Sequence, residues 1–122
     1  MRTITLLKNN DKALLMKLYN AKNEEIDLST FSFQQVILRG RLYNSLSPNG
    51  DFPLEMVGEL YTDEATETWI KFQFMSEQYE ELELTQYICE VIIELLPERF
   101  INAFIEKGSD HRFIIDIKDT FI

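Results

Sequence analysis

Apolar residues recur along this chain in two rhythms. From Leu84 to Lys107 they come mostly in pairs, Tyr87-Ile88, Val91-Ile92, Leu95-Leu96, Phe100-Ile101 and Phe104-Ile105, with Glu90, Glu94, Glu98, Asn102 and Glu106 between them. Pairs returning every three or four residues form a stripe on one side of an α-helix. Thr85 or a neighbour can open such a helix, Pro97 suits the first turn of a second segment, and Gly108 suits its C-terminal stop. The spacing predicts two abutting helices, or one helix bent at Pro97, since proline lacks a donor and clashes one turn back. No other stretch has so broad a stripe. Leu84, Ile88, Val91, Ile92, Leu95, Phe100 and Phe104 are therefore expected to bury against Ile70, Phe72 and Phe74 of a sheet.

Elsewhere the rhythm is two. Arg2 to Leu7 alternates weakly and suits a short strand, and Asn9-Asn10-Asp11 offers a turn or a helix N-cap. Lys12 to Tyr19 contains good helix formers, yet Leu14, Met16 and Leu18 fit a strand returning from a hairpin. The strand is preferred, because an isolated helix of about eight residues is marginal. Asn20 to Thr30 is polar and reads as a loop. Phe31 to Asn44 is extended, and its alternation changes parity between Phe33 and Leu38, which predicts a bulge. Ser47-Pro48-Asn49-Gly50-Asp51 is a dense turn signal. Leu54 to Thr62 alternates again, Asp63 to Thr66 is a tight connection, and Thr68 to Met75 puts Trp69, Lys71 and Gln73 on one face and Ile70, Phe72 and Phe74 on the other. These runs read as an antiparallel meander. Arg112 to Lys118 is a last strand, at a sheet edge or beside the N-terminal strand. The order predicts an α+β domain: a mostly antiparallel sheet covered on one face by the helical element 84–107, with 112–118 as the last strand.

Composition narrows the class. A chain of 122 residues is expected to be one domain, and 45% apolar residues with 12% aromatics argue for a packed globule. No apolar run approaches a signal peptide's core or a membrane span, so a cytoplasmic protein is expected. Net charge is −9 and unevenly placed: +3 over residues 1–50, −12 over 51–98 and zero over 99–122. The middle segment sets thirteen acidic residues against the single Lys71. Acidic surface also keeps a protein soluble with no further role. As a functional signal, it projects negative potential toward a basic partner, which speeds and steers association. Aromatic side chains among the acids would be the anchors. The candidate partner-binding residues are Tyr61, Glu64, Glu67, Trp69, Glu77, Tyr79, Glu80, Glu81 and Glu83, with Tyr87 as a further aromatic and Glu77, Glu80, Glu81 and Glu83 nearest the centre. Nucleic-acid enzymes carry complementary basic surfaces because they neutralise phosphates. The same chemistry argues against direct nucleic-acid binding here, and Arg39 and Arg41 are too few for a phosphate track.

Catalytic signatures are missing from the sequence. Cys89 is the only cysteine and lies at the edge of the apolar stripe, as a small core residue would. His111, the only histidine, follows Gly108-Ser109-Asp110 at a loop end; a dyad with Asp110 is conceivable, but a solvent-exposed loop histidine is the simpler reading. On a helix Glu90 and Glu94, with Glu83, could seat a divalent cation, but no Glu-x-x-His pattern accompanies them. No catalytic residue, cofactor or metal site is expected. In size, acidity and lack of catalytic machinery the chain resembles the small immunity proteins that bacteria make against toxic nucleases. It resembles equally phage-encoded acidic inhibitors that imitate DNA. These likenesses imply a binding protein that covers the substrate cleft of a basic partner. An accessory structural subunit or secretion chaperone is the alternative of another class, and an enzyme comes last.

Overall fold

The computed structural model describes residues 2–8, 10–43 and 52–119. Its elements in chain order are β1 (Thr3–Leu7), β2 (Lys12–Met16), β3 (Gln35–Leu42), β4 (Leu54–Val57), β5 (Glu59–Thr62), β6 (Thr68–Phe74), a 3-10 helix (Ser76–Glu81), β7 (Gln86–Leu96), β8 (Arg99–Ala103) and β9 (Arg112–Lys118). The α+β expectation is overturned. Most of the chain is strand in two sheets, and among the described residues no helix reaches seven residues.

The stretch 84–107 is a hairpin of β7 and β8, with no helix covering the sheet. Its turn is Pro97-Glu98, between the register pair Leu96 and Arg99, with Glu98 at φ 65. Proline followed by a residue of positive φ matches a type II turn, so Pro97 reverses the chain where a helical bend was expected. The false period has a clear cause. Tyr87, Cys89, Val91 and Ile93 alternate onto the core face of β7 and are fully buried. Ile88, Ile92 and Leu96 recur every fourth residue on the opposite face, so alternation plus a second apolar row looks like helical pairing. The β-branched run Val91-Ile92-Ile93 was the signal for strand. In consequence Leu84 and Phe100 are exposed and Ile88, Leu95 and Phe104 half-buried. Ile92 is only 5% exposed but lies outside the main core cluster.

The larger sheet has six strands in the order β1-β9-β7-β3-β4, with β8 also paired to β7. One edge of β7 takes β3 along residues 87–94. The other takes β9 at residues 86–90 and β8 from Val91 onward. So β8 and β9 form one strand line interrupted by residues 104–111, which leave the sheet between Ala103, opposite Val91, and Arg112, opposite Glu90. That excursion is tied down by reciprocal bonds between Tyr19 and Phe104, at 2.8 and 2.9 Å, and by Gly108 N–H to Asn23 Oδ1 at 2.9 Å. Of the two places expected for the last strand, a sheet edge or a seat beside the N-terminal strand, it takes the second, with β1 parallel to β9.

The smaller sheet is β2-β6-β5, antiparallel throughout. The strand 12–16 is present, but it returns in the other sheet, so β1 and β2 form no hairpin. The expected meander is divided likewise: β3 pairs β4 in one sheet and β5 pairs β6 in the other. Gly58 is the crossing point. A Cβ there would lie 2.7 Å from Ile70 Cγ1 and 2.9 Å from Phe72 Cε1, so only glycine lets the chain change sheets this close to β6. The parity change in Phe31–Asn44 falls before β3 begins, and the register of Gln35–Leu42 against β7 runs without a bulge. Asn9 of the first predicted turn and Ser47–Asp51 of the second lie outside the described residues. The two sheets close on one core, in which Leu14, Met16, Ile70, Phe72 and Phe74 of the smaller meet Leu6, Val36, Leu38, Tyr87, Val91, Ile93, Phe113, Ile115 and Ile117 of the larger.

Candidate functional site

On the outer face of the smaller sheet, β6 presents Trp69, Lys71 and Gln73 as its alternation predicted, and β5 adds Tyr61 opposite Trp69 and Glu59 opposite Lys71. The β5–β6 hairpin closes with Asp63 N–H to Glu67 C=O at 2.9 Å and Thr66 N–H to Asp63 C=O at 3.0 Å, and Thr66 takes φ 63 where glycine is usual. The Asp63 carboxylate holds this turn. It accepts the Trp69 indole N–H at 2.9 Å and the Glu67 N–H at 2.9 Å, and these two bonds, the indole's first, hold its pKa below the ordinary value. Lys17, just past β2, places Nζ 4.4 Å from the Trp69 ring centroid, donates to Thr68 C=O at 2.9 Å and lies 3.7 Å from Glu67. Lys71 sits 5.5 Å above Tyr61. The cations of this face thus lie against rings, and Lys17 also meets backbone and the Glu67 carboxylate. Around them Glu59, Glu64 and Glu67 are exposed, and Tyr61 is 39% exposed.

The remaining acidic candidates lie elsewhere. Glu77, Glu80, Glu81 and Glu83 are exposed on and after the 3-10 helix, which begins past the far end of β6. A strand of seven residues spans roughly 20 Å, so the structure separates the expected patch into two acidic poles. Tyr79, placed among the anchors, is 1% exposed and stacks on Phe74 with centroids 6.3 Å apart. Burial raises its hydroxyl pKa. Tyr87 is also buried, its hydroxyl donating to Glu83 C=O at 2.9 Å. Both are core residues, with no surface to offer a partner.

The larger sheet's outer face is organised differently. Glu55, Arg39, Glu90 and Arg112 occupy one register row across β4, β3, β7 and β9, alternating in charge. Arg39 Nε donates to Glu90 Oε1 at 2.7 Å, and Gln35 donates to Glu94 at 3.0 Å. On a strand Glu90 and Glu94 are two same-face positions apart, roughly 13 Å, too far to share a cation. Among the described residues no group of three His, Cys, Asp or Glu converges as a metal site needs. His111 is half-buried, edge-on to Phe104, with Nδ1 3.2 Å from Asp110 and Nε2 3.9 Å from Glu90. The exposed loop histidine expected from sequence is therefore a packed one. Backbone and guanidinium bonds from Arg112 hold Asp110 below the usual carboxylate range. Arg39 and Arg41 both lie over the Phe52 ring, at 4.3 and 4.8 Å, beside a cavity of about 380 Å³ lined by Arg41, Tyr43, Phe52, Ile88 and Arg112 among others. Cys89 points inward, and burial pushes its thiol up to about 12, which removes it from nucleophilic chemistry.

Sequence reasoning passed over Lys17, Asp63, Glu59 and Leu60. Lys17 lies far from the hairpin in the chain and is brought beside Trp69 only by the β2–β6 pairing. Asp63 was legible, since an aspartate opening a tight turn commonly accepts bonds from the turn's own backbone. The chain matches no protein-family model, no curated protein and no solved structure.

Proposed function

We propose that this is a small acidic binding protein that blocks a basic partner, most specifically an immunity protein for a toxin with nuclease activity. The observation that carries this reading is the hairpin pole. There Glu59, Glu64 and Glu67 stand exposed around Tyr61 and Trp69, while the neighbouring Lys17 and Lys71 are engaged by those rings. Carboxylates at such a pole stand where phosphates would lie in a nuclease cleft, and the aromatic surface supplies apolar anchorage. The second pole, at Glu77, Glu80, Glu81 and Glu83, has the nearby Tyr79 and Tyr87 in the core, so it contributes steering without an anchor.

The test is co-expression with the cognate nuclease toxin that this reading expects, followed by association kinetics at several salt concentrations. Glu64→Lys with Glu67→Lys should abolish growth rescue and slow association by an order of magnitude or more at low salt. Glu80→Lys with Glu83→Lys should lower the on-rate less, and Arg41→Glu should leave it unchanged. Full rescue by a chain with both acidic poles reversed sinks the proposal.

A further inference from the structure

We infer that β5 is a docking edge that takes an extended cationic segment of the partner as an added antiparallel strand. This rests on the basic-partner reading above and specifies how that partner is held. β5 ends the smaller sheet: it pairs with β6 on one side, and all four of its residues are exposed. Which backbone groups face outward follows from the hairpin. Asp63 and Glu67 form a hydrogen-bonded pair, and antiparallel ladders alternate bonded with non-bonded positions. Glu59 and Tyr61 therefore turn their N–H and C=O groups to β6, while Leu60 and Thr62 turn theirs away. Two residues earlier on the same side, Gly58 N–H donates to Val36 C=O at 2.8 Å, so this line of groups is covered by β3 until the chain crosses sheets. Beyond Gly58, among the described residues, no strand continues that cover.

The side chains select the occupant. Leu60 lies opposite Ile70, on the core side of the sheet, yet is 53% exposed at its rim. An apolar side chain on an added strand would lie beside it and extend the core. On the outer side the added strand would run beside Glu59 and Tyr61, with Glu64 and Glu67 at the end of the hairpin, where lysine or arginine is complementary. A second copy of this chain is disfavoured. Two-fold pairing of β5 with itself, centred on Tyr61, sets Glu59 of one copy opposite Asp63 of the other and joins two chains of net charge −9. The fitting sequence alternates basic and apolar residues, its apolar residues presenting their amides to Leu60 and Thr62.

A short synthetic peptide alternating lysine and valine is the probe, compared with versions N-methylated only at the valines or only at the lysines. In antiparallel pairing the residues whose side chains lie beside Leu60 are those whose amides face β5. Methylation at the valines should therefore weaken binding at least tenfold, and methylation at the lysines should not. The Leu60 and Thr62 amides should gain protection from hydrogen exchange when the parent peptide binds. Equal binding by both methylated peptides overturns strand addition and leaves the electrostatic reading standing, and no binding by the parent overturns strand addition. If the methylation pattern holds but Glu64→Lys with Glu67→Lys changes neither affinity nor salt dependence, the edge stands and the acidic-surface reading falls.

Discussion

The two sheets carry their charge in opposite ways. Across the larger sheet Glu55, Arg39, Glu90 and Arg112 share one row in which acid and base alternate, and the Arg39–Glu90 pair is formed at 2.7 Å by half-buried groups. On the smaller sheet the lysines lie against Trp69 and Tyr61, Lys17 also 3.7 Å from Glu67, and Glu59, Glu64 and Glu67 are exposed around them. A net charge of −9 is therefore no uniform property of the surface. One face sets acid against base in a row, whereas the hairpin pole exposes three glutamates beside two lysines, of which Lys17 lies 3.7 Å from Glu67. The strands beneath differ in parallel: among the described residues β7 is held on both edges, β5 on one.

The largest expected contrast is between those strands. Ile93→Ala, at a fully buried position in the middle of the larger sheet, should cost about 2–5 kcal/mol in a urea melt. Leu60→Ala, on the exposed edge of β5, should cost less than about 1 kcal/mol, because most of that side chain is already in water. Similar losses at the two sites would erase the distinction between held and open strands.

Next come the charges. Glu90→Ala leaves Arg39 partly desolvated without its carboxylate and should destabilise by about 1–3 kcal/mol. Glu64→Lys with Glu67→Lys should change stability by under about 0.5 kcal/mol while weakening attraction to a cationic probe, with the difference fading as salt is added. A large stability loss in that double variant would make the hairpin carboxylates structural.

The smallest effect is a titration within the hairpin. Asp63 has a depressed pKa in the folded chain, so its contribution to stability is present above its unfolded value near 3.8 and is lost as pH falls through the folded value. Trp69 is the single tryptophan and donates to that carboxylate. Its fluorescence should therefore change below pH 3.8 while the larger sheet remains folded, and Asp63→Asn should remove the transition. A fluorescence change that tracks global unfolding at every pH would remove the local interpretation.

Strand content outside 84–107 was legible because alternation is a local property. The faces of β6 and β9 and the placement of Trp69 at the surface follow from parity alone. The hairpin at Pro97 was half-legible. The proline marks a break, but a turn and a helical bend differ in the φ of the next residue, and glutamate gives no local hint of a positive value. Tyr79 misled because a tyrosine among glutamates looks exposed, whereas the 3-10 helix turns it into the core against Phe74.

By itself the sequence determined the excess of acid in residues 51–98, the absence of a catalytic signature, and the alternating strands whose faces need only the two-residue repeat of an extended chain. Tertiary structure decided the rest, because strand pairing joins residues far apart in the chain and local pattern carries no record of the partner. Only the β2–β6 pairing brings Lys17 to Trp69, and only β3 and β9 on either side of β7 place Arg39 and Arg112 about Glu90. Only the crossing at Gly58, where a side chain would collide with Ile70 and Phe72, separates β5 from β4 and leaves its outer edge without a strand among the described residues.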